Sequence, residues 1–252
     1  FFYRFLIAYL GIWVISPKRL FTNNWQDELW LVAGGIFGGS LYFFTENTAL
    51  GITQASNVSF IICTAPLLTT ILSLLFYKSE KASKGLIYGS LLALMGVGLI
   101  VFNGSFVLKI SPIGDLLTLL AALSWAFYSL IIKKMARRYP TVFITRKIFF
   151  YGVLTILPAF LLHPLQPDTA VLLQPAVLFN LLFLAVLASL ICYVLWNVVL
   201  KQLGTVRASN YIYLNPLVTM IASFLILDEK ITLVALGGAA CIVCGVYWAE
   251  KK

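Results

Sequence analysis

Nine apolar runs set the terms on which this chain can fold. They cover residues 1–16, 29–50, 55–76, 85–103, 112–132, 145–162, 176–200, 206–227 and 231–249. A helix rises about 1.5 Å per residue, so roughly 20 residues cross the ~30 Å hydrocarbon layer of a bilayer. Most of the runs have that length. Lipid offers the backbone no hydrogen-bond partner, so only helices and closed barrels span it. The runs are continuously apolar rather than alternating, which selects helices. With 61% hydrophobic and 11% charged residues, the chain has no polar surface with which to face water on all sides. The sequence predicts an all-α polytopic membrane protein with nine transmembrane helices.

Charge gives the orientation. The net charge of +9 does not point to nucleic acid, because the basic residues lie in short gaps between runs and form no patch. Numbering the gaps alternately puts 15 Lys and Arg on one side and 3 on the other. The richer side is expected to be cytoplasmic, and the C-terminus with it. A multi-pass protein of the cell (inner) membrane follows, with lipid as a partner. The first run holds Arg4 and no small-residue cleavage site, so it reads as a helix and not a signal peptide.

Several chemistries are excluded. Cys63, Cys192, Cys241 and Cys244 all lie in apolar runs, and the one histidine, His163, sits in a proline-containing loop. No metal constellation results, and no cofactor is expected. No GxxxxGK[ST] phosphate loop is present, so ATP hydrolysis is not expected. An intramembrane enzyme would need a nucleophile with a base, or a metal set, and neither is there.

The chain repeats itself. Asn47 and Asn197 are 150 residues apart, as are Pro66 and Pro216. Glu80-Lys81 and Glu229-Lys230 are 149 apart, as are Gly89 and Gly238, and Gly96 and Gly245. Five helices separate the copies. An odd number reverses the direction, so the repeat is inverted. Residues 1–103 form a first repeat of four helices and 104–252 a second of five, together one transmembrane domain. The partner of the 112–132 helix is missing from the first repeat. The expected complete fold has ten helices, five plus five, with the first absent from this sequence; the alternative is a natural nine-helix protein.

Three segments carry a family resemblance. GDLLTLLAALSWAFYSLIIKKMARRYP (114–140) resembles the opening helix of the second repeat in EamA-like transporters of the drug/metabolite transporter superfamily. RASNYIYLNPLVTMIASFLILDEKITLVALGGAACIVCGVYW (207–248) resembles the pair of helices closing that repeat, with the spacing from Pro216 to Glu229 matching. SNVSFIICTAPLLTTILSLLFYKSEKAS (56–83) is similar to the first-half copy. The resemblance implies a ten-helix inverted-repeat secondary transporter, mostly an exporter of amino acids, other metabolites or drugs. The alternative is a non-transporting membrane subunit or an incomplete fragment. Ser79 and Asp228 stand where the family often has glycine, and Glu46-Asn47 is no general family feature.

Inverted-repeat transporters bind cargo near the midplane. Polar residues deep in helices are therefore the candidate substrate-binding set. The second helix offers Tyr42, Glu46 and Asn47, and Gly38, Tyr42 and Glu46 share a face. A carboxylate inside the membrane is costly, and burial raises its pKa, so Glu46 is a candidate to carry a proton or pair with a substrate amine. Protons are accordingly a candidate coupling partner. Asn57, Trp125, Tyr128, Tyr193, Asn197, Tyr213 and Asn215 complete the set. These aromatic and amide groups suit a zwitterionic or amphipathic small molecule better than a bare ion. Pro66 and Pro216 each remove a backbone hydrogen bond and are the candidate gating kinks.

Overall fold

The computed structural model describes residues 1–17, 21–77, 83–102, 111–162, 169–227 and 231–251. Glu80, Glu229, His163, Ser79 and Asp228 lie outside them. Among the described residues the structure is helical with no strand. α1 is Phe2–Ile15. α2 runs on through Trp25–Gly35, Ile36–Ser40 and Leu41–Ile52. α3 is Ala55–Ile62 followed by Ala65–Phe76, α4 is Lys84–Phe102, α5 is Pro112–Met135 and α6 is Thr141–Ile156. α7 is Pro175–Leu203, α8 begins with Thr205–Asn210 and ends with Asn215–Leu227, and α9 is Leu233–Glu250. Among the described residues seven helices are long and apolar enough to cross a membrane, namely α3 to α9. α1, with 14 residues, is a shorter apolar helix. α2 carries Asp27, Glu28 and Glu46 along its length.

The chain divides into two compact units, each drawing on both halves of the sequence. The first holds Phe1–Phe43 and Phe127–Gln202. Its core is aromatic. Phe5 meets Phe149, Phe43 and Tyr193 at ring separations of 4.9, 5.6 and 5.6 Å, each near edge-on, the geometry that aromatic quadrupoles favour. α2 meets α6 through glycine: a Cβ on Gly35 would stand 2.5 Å from the Tyr151 Cβ and 2.9 Å from the Gly152 nitrogen. Two helices of this unit widen locally into π-helix. Ile36–Ser40 does so in α2 and Phe183–Ile191 in α7. Shifted by the 150 residues that separate Asn47 from Asn197, the first segment falls inside the second.

The second unit holds Phe44–Ala126 and Leu203–Lys252. Its seam is the antiparallel pair α4 and α9. A Cβ on Gly89 would meet the Gly245 carbonyl oxygen at 2.4 Å, and one on Gly96 would meet that of Gly238 at 2.5 Å. Gly238 and Gly245 stand 149 residues after Gly89 and Gly96, so each glycine of α4 touches the glycine that lies 149 residues after the other. Small residues let helix backbones approach where lipid supplies no hydrophobic drive between them. Around the seam Cys63, Ala93, Val97, Tyr213, Ile242 and Val246 form a buried apolar cluster.

Both prolines follow a break. α3 is interrupted by a turn at Cys63–Thr64, and Pro66 is the second residue of the helix that resumes at Ala65. α8 tightens to a 3-10 turn over Tyr211–Leu214, and Pro216 is the second residue of Asn215–Leu227. A proline in the first turn of a helix forfeits no helical bond, because the N–H there has no partner within the helix. Gly204, at φ +82°, joins α7 to α8 in the left-handed conformation that glycine adopts without strain.

Candidate substrate site

A line of polar side chains threads the first unit. The Tyr128 hydroxyl on α5 donates to Asn197 Oδ1 on α7 at 2.7 Å. Asn197 Nδ2 donates to Thr145 Oγ1 on α6 at 2.9 Å. Thr145 Oγ1 donates in turn to the Thr141 carbonyl at 2.9 Å. Tyr128, Asn197 and Thr145 are fully buried, so each polar atom needs the partner it has. One helix turn before Asn197, the Tyr193 hydroxyl donates to the Gly38 carbonyl at 2.7 Å. Gly38 lies in the α2 π-segment, where the ordinary i−4 bonding register is broken. The Tyr128 ring lies against the same residue: a Cβ on Gly38 would stand 2.2 Å from Tyr128 Cδ2. Two tyrosines from α5 and α7 therefore clasp α2 at a position that only glycine fits.

Of the residues singled out in the sequence, the structure brings Tyr128, Tyr193 and Asn197 together. Tyr42 is half-buried in the same unit, with its ring edge-on to Phe43 at 4.9 Å. The other six lie in the second unit. Glu46 and Trp125 are half-buried, Asn57 is buried, and Asn47 and Asn215 are exposed. Tyr213 is fully buried within the apolar α4–α9 cluster, so in this conformation it packs.

The structure adds a charged group that the runs concealed. Lys147 on α6 forms an ion pair with Glu28 on α2, and the Tyr151 hydroxyl donates to the same carboxylate oxygen. The other oxygen of Glu28 accepts from the Thr22 amide at 3.0 Å and hydroxyl at 2.7 Å. Beside it, Asp27 accepts from Arg138 at 2.7 Å and from the Tyr139 hydroxyl at 2.9 Å. Arg146 donates to the Ser16 carbonyl. In the sequence, Arg146 and Lys147 read as the flank of a run. Helix α6 begins earlier, at Thr141, and carries both inside, 2% and 4% exposed. The signal available was the acidic pair Asp27-Glu28 at the mouth of one run with two basic residues at the mouth of another.

The comparisons bear on this arrangement. The sequence matches the EamA-like transporter family over residues 1–102 and 112–249. An uncharacterized transporter of Archaeoglobus fulgidus is 30% identical over all of this chain and 86% of its own length. A protein of Escherichia coli K12 named a probable amino-acid metabolite efflux pump is 24% identical over 96% of this chain and 81% of its own length. A protein of known crystal structure superimposes with a TM-score of 0.80 at 18% identity, covering 98% of this chain and 85% of that one, and so shares the fold. With a family match across both halves and, among the described residues, seven helices long and apolar enough to cross a membrane, this chain is a multi-pass membrane protein that belongs to the EamA-like transporter family.

Proposed function

We propose that the chain is a secondary transporter that exports amino acids or other small metabolites across the cytoplasmic membrane, by alternating access between two inverted repeats, residues 1–103 and 104–252. The observation that carries the reading is the exchange of glycine contacts between α4 and α9. Gly89 on Gly245 and Gly96 on Gly238 is the pattern expected if the second repeat is a turned-over copy of the first. The paired π-segments of α2 and α7 support it from the other unit. The relatives named as efflux pumps support export. The 15-to-3 division of basic residues supports a cytoplasmic C-terminus.

In this reading the Tyr128–Asn197–Thr145 line is the heart of the binding site. Its phenol and amide bond one another when no cargo is present and exchange those bonds for a cargo's ammonium and carbonyl groups. Glu46 is the coupling acid, and the breaks before Pro66 and Pro216 are the points at which α3 and α8 flex. The test is reconstitution. Vesicles holding the full-length protein are given a mixture of amino acids and metabolites under a pH gradient, and the lumen is read by mass spectrometry. Gradient-dependent accumulation of one class of compound is the expected result. A lumen identical to that of empty vesicles for every compound would overturn the proposal.

A further inference from the structure

α1 carries a cation within its apolar run, and that cation faces inward. Arg4 Nε donates to the Ser189 hydroxyl, and Nη2 donates to the Ala188 carbonyl at 3.1 Å. The guanidinium carbon stands 4.8 Å from the centre of the Phe43 ring. Ser189 is fully buried and donates its own proton to the Leu184 carbonyl at 2.8 Å, so toward Arg4 it can only accept. Both acceptors belong to the π-segment of α7. An arginine that merely snorkels would carry its head along the helix to the interface. This one turns sideways onto the next helix.

None of these partners is an anion. Of the other basic residues in this unit, Arg138 and Lys147 meet Asp27 and Glu28, and Arg146 donates to the Ser16 carbonyl. Among the described residues no carboxylate pairs with Arg4. A guanidinium has five N–H donors in a rigid fork, and two of them are engaged on the Nε–Nη2 side. The remaining donors are on Nη1 and Nη2, the end-on edge that grips an oxyanion with two parallel bonds. The two fixed bonds and the Phe43 face hold the plane of that fork before anything binds. A charged side chain inside a membrane is expensive and ordinarily lies on a substrate pathway.

We propose that Arg4 is the anion anchor for the cargo, taking a carboxylate or other oxyanion on its end-on edge. The inference rests on the transport reading above and adds the substrate class: compounds that carry an oxyanion, such as zwitterionic amino acids, over the same compounds with that group neutralised. A neutral amide leaves the guanidinium charge unanswered, which is where discrimination arises.

The experiment measures a ratio within one sample, so it does not depend on how much protein folds. Vesicles holding wild type, Arg4→Lys or Arg4→Gln are given common amino acids, each beside its own carboxamide. The ratio of acid to amide taken up is read by mass spectrometry, with and without phosphatidylglycerol in the vesicles. Wild type is expected to favour acids by about tenfold or more. Arg4→Gln is expected to bring the ratio near one, and Arg4→Lys to fall between, because it keeps the charge and loses the fork. An Arg4→Gln ratio equal to wild type overturns the inference, as does transport by wild type without discrimination. A substitution that changes only the response to phosphatidylglycerol identifies the oxyanion as a lipid phosphate, and the inference again fails. If wild type moves none of the compounds, the transport reading falls and the anchor with it.

Discussion

Gly96 offers the sharpest test of how the second unit is built. Its missing Cβ would stand 2.5 Å from the Gly238 carbonyl oxygen and 2.8 Å from the Ile242 nitrogen. Both are backbone atoms of α9 and cannot swing aside. Restoring the 3.4 Å of ordinary contact moves the two helices apart by roughly 0.9 Å, which also opens Gly89 against Gly245. Overpacking of this kind costs about 1–3 kcal/mol. Alanine also gains up to about 1 kcal/mol over glycine in any helix, whatever it touches. Gly237→Ala isolates that gain, because a Cβ there meets nothing within 4 Å. The difference between Gly96→Ala and Gly237→Ala therefore removes the common propensity and leaves the packing term. We expect Gly237→Ala to match or exceed wild type in thermal unfolding of the purified, detergent-solubilised protein. Gly96→Ala is expected to fall below Gly237→Ala by about 1–3 kcal/mol. Equal unfolding midpoints for the two variants would mean that α4 and α9 do not touch backbone to backbone, and the exchange of contacts would lose its basis.

Three further outcomes follow from the first unit and from Glu46. Lys147→Met strands the Glu28 carboxylate in a buried site and should cost about 3–5 kcal/mol in the same unfolding assay, while Glu28→Gln together with Lys147→Met should recover much of it; an unaffected single variant would contradict the buried pair. Tyr193→Phe removes the hydroxyl held by the Gly38 carbonyl and should cost about 0.5–1.5 kcal/mol, with no loss at all counting against that bond. Glu46→Gln should fold and insert as wild type does yet lose the dependence of transport on the pH gradient, and an unchanged dependence would make Glu46 a structural acid.

The helices were legible because their cause is local. Each apolar run must satisfy its own backbone within the membrane, so sequence composition locates it, and the observed helices agree with the runs to within a few residues at most ends. The spacings of 149 and 150 residues were legible in residues with a backbone reason to be where they are. Glycines 149 residues apart turned out to sit on one seam, and each proline opens a helical segment after a break. The π-segments were not legible, since a change in bonding register leaves no mark on hydrophobicity, and Ile36–Ser40 reads like any other turn of α2. The Glu28–Lys147 pair was hidden for another reason. Partners 119 residues apart are joined by packing alone, and charges at the ends of apolar runs look like ordinary membrane flanks. Tyr128, Tyr193 and Asn197 were legible as polar groups deep in apolar runs, and the hydrogen bonds they make are those that burial demands. Gly38 was legible only as sharing a face with Tyr42 and Glu46; its part through the carbonyl and the space above its Cα depends on packing that no sequence pattern marks.

Access from both sides is the most direct test of the transport account. Tyr42→Cys and Glu46→Cys, one helix turn apart on α2, are made singly in a protein whose four native cysteines are replaced. Each is treated from either face of a sealed vesicle with a thiol reagent that does not cross the membrane, with and without transported cargo. Alternating access predicts that each position is reached from both faces and that cargo shifts the balance between them. Labelling of both positions from one face only, unmoved by cargo, would contradict it.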